Sequence, residues 1–394
     1  VHLALLTDLS GDNRRRGAEL ERAARAAVLA LNEAGGVRGR RLTLDAVDEQ
    51  GASGPFLLAR AEEAARRASV PAVLGPLLSA QALEVRSALA ARGLLAVSAT
   101  ATADALSTDA AGGPDGFVGL SPADSEQAGA LGQLAKRRGS GGAGACTRLA
   151  IVATRDSHGE PFARALEAEA RRPPLLEVTT TLVEREPRRR YDALAAALAR
   201  AKADCVALVV SPKLGGRILA SIPTDERRRL RVLAGDSLAS QDFVEFGRGD
   251  VGDVTAPSLA EGTEGIAVAS APADRAELAA FRRLFRASSG RDPEEPFAPH
   301  QFDAVVLLAL ALEAEGLDAP APRLRDAMVR VSGGKSGHGP AELDRLLRAV
   351  ARGEDAGYEG ASGDVHLLPS GRVRGAFDAW RVRGGKIVRL GPAR

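Results

Sequence analysis

The sequence predicts an α/β protein made of two doubly wound lobes. Short apolar runs alternate with helix-length patterns, which is how a parallel sheet with crossover helices reads. The alternation runs once from His2 and again from Arg148. A chain of 394 residues also exceeds one ordinary core. Its 45% apolar and 26% charged residues are a globular balance.

His2–Thr7 reads as a buried strand, followed by a loop to Arg16 and a helix from Gly17 to Ala34 that Gly35-Gly36 stops. Arg41–Val47 is the second strand and Phe56–Ala68 the next helix. The stretch Val70 to Leu106 completes the lobe. Ala72–Leu74 is a strand that breaks at Gly75-Pro76, a helix starts at Ser79 and closes at Arg92-Gly93, and Leu94–Val97 runs into the turn Ser98-Ala99-Thr100-Ala101-Thr102. Both turns fall at the carboxyl ends of their strands, where open α/β sheets bind ligands. Ser79 at a helix N-terminus favours an anion through free N–H groups and the helix dipole. Ser79 and Thr102 also suit plain caps of the helices they open.

Phe117–Pro122 leaves this lobe, and Asp124-Ser-Glu-Gln127 has capping-box spacing for a new helix. The second lobe has strands at Arg148–Ala153, Leu175–Val183, Cys205–Val210 and Leu230–Ala234. The segment Glu261–Ala269 comes next. Helices follow near Ala273–Ser288, Pro299–Glu315 and Pro322–Val331, then a Gly/Ser linker from Ser332 to Gly339 and a short helix, Glu342–Ala351. Strands around Val365–Leu368, Val373–Val382 and Ile387–Leu390 end the chain. Asp236 lies just past the strand Leu230–Ala234, again at a carboxyl end. It either caps a helix from Leu238 or places a carboxylate where a cation can meet it. Donors in one lobe and a carboxylate in the other suit a zwitterion.

A net charge of +2 with 3% aromatics lacks the basic face and stacking rings of a nucleic-acid binder. The longest apolar stretch, Ala304–Leu312, is a buried-helix candidate well short of a membrane span. No leader pattern precedes the opening strand, which fits a processed chain and does not argue for the cytoplasm. Gly139–Gly144 satisfies G-x-G-x-x-G but precedes a strand, so it reads as a connector. Gly334-Lys335-Ser336 lacks the first phosphate-loop glycine, since Val329 stands there. The five histidines, including His158, show no zinc spacing, and no metal or cofactor is expected. Cys146 and Cys205 lie at the amino ends of the first and third strands of lobe two, neighbours in a 2-1-3-4-5 order. They are expected to form a disulfide, with two buried thiols as the alternative.

GPLLS followed by SATAT resembles the signature of type I periplasmic binding proteins for branched-chain amino acids. RRGAELERAARAAVLALNEAGGVRGRRLTL is similar to the opening of that family, and Phe302-Asp303-Ala304 stands where it ordinarily reads YDA. The resemblance implies residues 1–119 and 268–358 in lobe one and 120–267 and 359–394 in lobe two. Three crossings would form a hinge that closes on ligand. It implies a non-enzymatic carrier, monomeric, that captures an amino acid or close analogue for an ABC transporter permease. Its place would be periplasmic or extracytoplasmic, with lipid anchoring open. It assigns Ser79 and Thr102 to the ligand's carboxylate, and the Thr100 carbonyl with Asp236 to its ammonium. His158 stands where a tyrosine is usual, Phe302 keeps that family's ring without the hydroxyl, and Arg16 falls where relatives offer an aromatic cap. These three complete the expected ligand contacts, and Arg16 or His158 would admit a polar or acidic ligand group. Two alternatives remain: an extracellular sensor domain, and a hydrolase using Ser79 on amino-acid amides or esters.

Overall fold

The computed structural model describes residues 1–107, 116–139, 142–186, 188, 190–249, 256–269, 271–272 and 274–393. The Gly139–Gly144 connector and the arginine run 188–190 lie partly outside them. The chain divides into two compact units, residues 1–123 with 269–374, and residues 124–268 with 375–394.

Unit 1 begins β1 (His2–Thr7), α1 (Arg14–Glu33), β2 (Thr43–Asp48), α2 (Gly54–Arg67), β3 (Ala72–Leu74), α3 (Ser79–Ala90), β4 (Leu95–Ser98) and β5 (Phe117–Gly119). The strands lie parallel in the order β2-β1-β3-β4-β5. Successive side chains of a strand point to opposite faces, and β1 uses both. Leu3 and Leu5 pack into the cluster that holds α1, while Ala4 and Leu6 join the cluster of α2 and α3. A strand buried on both faces must read as a continuous apolar run, as β1 does.

Unit 2 follows with α4 (Asp124–Lys136), β6 (Arg148–Thr154), α5 (Gly159–Ala170), β7 (Glu177–Val183), α6 (Asp192–Arg200) and β8 (Cys205–Val209). It continues through α7 (Pro212–Ser221), α8 (Thr224–Arg227), β9 (Arg231–Ala234), α9 (Gln241–Phe246) and β10 (Glu264–Val268). Unit 1 then resumes with α10 (Ala276–Ser289), α11 (Ala298–Glu315), α12 (Ala321–Ser332), β11 (Ser336–His338), α13 (Leu343–Ala351) and β12 (Ala356–Tyr358). Unit 2 ends in the hairpin β13 (Phe377–Arg383) and β14 (Lys386–Pro392). Its sheet runs β14-β13-β10-β9-β8-β6-β7, with β13 antiparallel to β10. Gly384 and Gly385 turn the hairpin with φ of 60° and 70°, the left-handed pair that a two-residue turn requires. Helix α11 is buried from Ala298 to Leu312, with the apolar run Ala304–Leu312 following the polar His300, Gln301 and Asp303.

Three sequence expectations are corrected. Ser332–Gly339 is not merely a linker, because β11 within it pairs in parallel with β12. A Cβ on Gly334 would come within 2.3 Å of the Ala356 carbonyl carbon, so this glycine permits close backbone approach. Residues 365–373 form isolated bridges, Leu367 to Val373 and Gly119 to Arg372, and the last hairpin starts only at Phe377. Residues 359–374, expected in lobe two, belong to unit 1. The reason is Asp303 on α11, fully buried, whose carboxylate accepts from Tyr358 Oη (2.6 Å), Ala361 N (2.9 Å), Ser362 N (2.8 Å) and Ser362 Oγ (2.6 Å). Burial nevertheless pushes its pKa up, and these hydrogen bonds oppose that rise.

Cys146 and Cys205 form a disulfide with Cα atoms 5.7 Å apart. It is possible because β6 and β8 are neighbours, with Leu149 opposite Cys205. The bond joins residues 59 apart in sequence, and a closed loop of that length stabilises by about 4 kcal/mol at most. The double substitution Cys146→Ala with Cys205→Ala should lower the unfolding free energy by about 2–4 kcal/mol in denaturant titration. Thiol titration of the denatured, unreduced protein should find no free thiol; two would overturn the bond.

Candidate functional site

In unit 1 the carboxyl ends of β3 and β4 are laced together by hydroxyls. Gly75 has φ of 91°, and a Cβ there would lie 2.1 Å from the Leu6 carbonyl oxygen, so only glycine lets β3 turn off this close to β1. Ser98 Oγ donates to the Pro76 carbonyl at 2.8 Å and accepts from the N–H groups of Thr100 (3.3 Å) and Ala101 (3.0 Å). Thr100 Oγ1 donates to the Leu77 carbonyl at 2.5 Å. Ser79 Oγ accepts from the N–H groups of Thr102 (2.9 Å) and Ala103 (3.1 Å) and lies 3.5 Å from Thr102 Oγ1. The structure thus ties Ser79, after β3, to the turn after β4 that carries Thr100 and Thr102.

Neither Ser79 nor Thr102 acts as a helix cap. Ser79 is the first residue of α3, and the Leu78 N–H before it goes to Gln81 Oε1 at 3.3 Å. Thr102 precedes a short 3-10 turn, Asp104–Leu106, without capping it.

In unit 2, Asp236 opens a 3-10 turn, Asp236–Leu238, and is buried. The capping role expected of it falls to Ser240, whose hydroxyl accepts from Phe243 N at 3.3 Å at the start of α9. Gln127 Oε1 accepts from Asp236 N at 3.5 Å. His158 Nδ1 meets Asp124 Oδ2 at 2.8 Å, its own N–H goes to Asp156 Oδ1 at 3.0 Å, and its ring packs edge-on against Phe162. The Asp124/Gln127 pair that reads as a capping box is therefore engaged with His158 and Asp236 through tertiary hydrogen bonds. Among the described residues, Asp124 Oδ1 and Gln127 Nε2 are buried with no hydrogen-bond partner, one acceptor and one donor left for another group.

Two further expected contacts, Phe302 and Arg16, are engaged within unit 1. Phe302 is fully buried in the core of unit 1, edge-on to Phe281 at 5.3 Å, because α11 is buried on every side from Ala298 to Leu312. Arg16 is engaged with Glu295 at 3.0 Å, both side chains buried, and its guanidinium lies over the Phe297 ring at 5.5 Å. That pairing meets its charge within unit 1.

The sequence offered no signal for Arg372. This buried guanidinium donates to the carbonyls of Ala101 (3.0 Å), Ser121 (3.0 Å) and Ala103 (3.1 Å) and to Ser107 Oγ at 2.5 Å. It lies against the Phe117 ring at 5.7 Å. No spacing rule connects residue 372 to residue 101; only the fold does.

Burial opposes charge on His158, but the Asp124 carboxylate outweighs it, helped by Asp236 and Asp156, and the imidazole pKa rises to about 9. A folded-state value above the ordinary 6.5 means the pair stabilises fully below about pH 6.5 and loses that stabilisation as pH rises through about 9. The contribution is on the order of 3 kcal/mol. Unfolding free energies of the wild type and of His158→Gln should differ most near pH 6 and converge by about pH 10. A constant difference across that range would exclude the ion pair.

The family model described as "Periplasmic binding protein" matches residues 1–345. The chain is 24% identical over 377 residues to the Leu/Ile/Val-binding protein BraC3 of Rhizobium johnstonii, covering 95% of this chain and 93% of that one. Its fold is similar to the leucine binding protein LivK of Thermotoga maritima, with a TM-score of 0.78 at 15% identity over 100% and 98% of the two chains. It is similar also to the substrate binding protein LivJ of Streptococcus pneumoniae, solved in complex with isoleucine, with a TM-score of 0.76 at 16% identity over 99% of each. The chain belongs to the periplasmic binding protein family.

Proposed function

We propose that this protein captures a free amino acid or close analogue outside the cytoplasm and delivers it, as a monomer and without chemistry, to the permease of an ABC importer. The observation that carries the reading is the opposite polarity of two strand-end sites. Unit 1 offers the donors of the Ser79–Thr102 turn, which suit a carboxylate. Unit 2 offers Asp236, with Asp124 and His158 beside it, which suits an ammonium. Thr100 contributes its backbone carbonyl to the ammonium, and the partly exposed His158 ring lies against the ligand. The named ligands of BraC3, LivK and LivJ are branched-chain amino acids, which supports the same class here.

Calorimetric titration should show tight one-to-one binding of at least one of the twenty amino acids and much weaker binding of its amide and ester. Binding confined to sugars or nucleotides would defeat the proposal. Removing one member of a buried charge pair costs on the order of 2–5 kcal/mol, more than tenfold in affinity. Asp236→Ala should weaken binding by at least that factor, and Asp236→Asn should recover only part, since it keeps the shape but loses the charge. Near-wild-type affinity in Asp236→Asn would remove Asp236 from the ligand site.

A further inference from the structure

A serine hydroxyl has two lone pairs and one proton to offer. On Ser79 the N–H groups of Thr102 and Ala103 occupy the oxygen as acceptor, at 2.9 and 3.1 Å. What remains to this hydroxyl is its proton, with Thr102 Oγ1 at the outer limit of a hydrogen bond, 3.5 Å. The N–H of Thr102 belongs to the same peptide unit as the Ala101 carbonyl, and that carbonyl accepts from Arg372 Nη1 at 3.0 Å. A cation on the carbonyl end of a peptide draws electrons from its N–H end, so hydrogen bonds in series strengthen one another. Arg372 also holds the neighbouring Ala103 carbonyl and the Ser121 carbonyl, and the Gly119 N–H meets the Gly371 carbonyl at 2.9 Å beside it.

We propose that Arg372 is a positioning residue for ligand binding: through the Ala101–Thr102 peptide it fixes the Ser79 hydroxyl as a donor to a carboxylate. This rests on the reading that the Ser79–Thr102 turn receives the ligand's carboxylate. Arg372 acts at one remove, by orienting and polarising the peptide that holds Ser79.

The test is a double-substitution cycle on the full chain, read by calorimetry with those of the twenty amino acids that bind the wild type. Ser79→Ala should weaken binding about tenfold or more, the usual loss for a hydrogen bond to a charged group. Arg372→Met should weaken it by a similar factor, and Arg372→Lys by less, since it keeps the charge but not the fork that spans several carbonyls. In the Arg372→Met background, Ser79→Ala should cost no more than about twofold, because coupled residues are not additive. Where Arg372→Met does not fold, Arg372→Lys carries the same cycle. A purely structural Arg372 would lower the melting temperature and leave the cost of Ser79→Ala equal in both backgrounds, which would overturn this inference alone. Failure of all twenty amino acids to bind the wild type would overturn the parent reading and this inference with it.

Discussion

Buried peptide groups must find partners, and irregular backbone has neither helix nor strand to supply them. Two charged side chains meet that constraint. Asp303 takes four donors from Tyr358, Ala361 and Ser362, and Arg372 gives protons to three carbonyls between Ala101 and Ser121. One satisfies N–H groups and hydroxyls, the other satisfies carbonyls. Between them they fix where the last crossing of the chain runs and how the Thr100–Thr102 turn is held. Each is costly to bury alone, and each is placed where several backbone dipoles share the burden.

The same constraint explains how far the sequence could be read. The alternation of strand and helix was legible because burial on two faces forces continuous apolar runs, and Ala72–Leu74 was bounded to the residue. The neighbouring position of Cys146 and Cys205 followed from strand order alone. The tail was misread for a physical reason. Residues 365–373 were expected to be strand, yet the segment 359–374 is held by contacts 58 to 271 positions apart in sequence, Asp303 to Ala361 and Arg372 to Ala101. Local periodicity has no access to such partners.

In the candidate site, residue type was legible and partner was not. Asp124 and Gln127 have the spacing of a capping box, but the imidazole of His158 and the backbone of Asp236 offered them more than their own helix end did. Phe302 was read by analogy as a ligand contact, and its ring packs in the unit 1 core because α11 is buried on every side. Arg16 was read as a possible ligand partner, and Glu295, 279 residues on, already meets it. Long-range charge pairing is the step that a single sequence leaves open.

The arrangement of Ser79 also bears on the choice between binding and catalysis. A serine nucleophile must pass its proton to a base and offer a lone pair to an electrophilic carbon. Here the oxygen accepts from two N–H groups, which draws electron density away from it, and its proton is the part left to offer. His158 is bound to Asp124, and its pKa is raised to about 9. An imidazolium cannot take a proton at neutral pH. A hydroxyl committed to donating suits a carboxylate, which only accepts, and a carboxylate such as that of Asp236 suits an ammonium, which only donates. Each unit by itself thus carries groups that suit one end of a zwitterion, which supports the proposed capture of an amino acid.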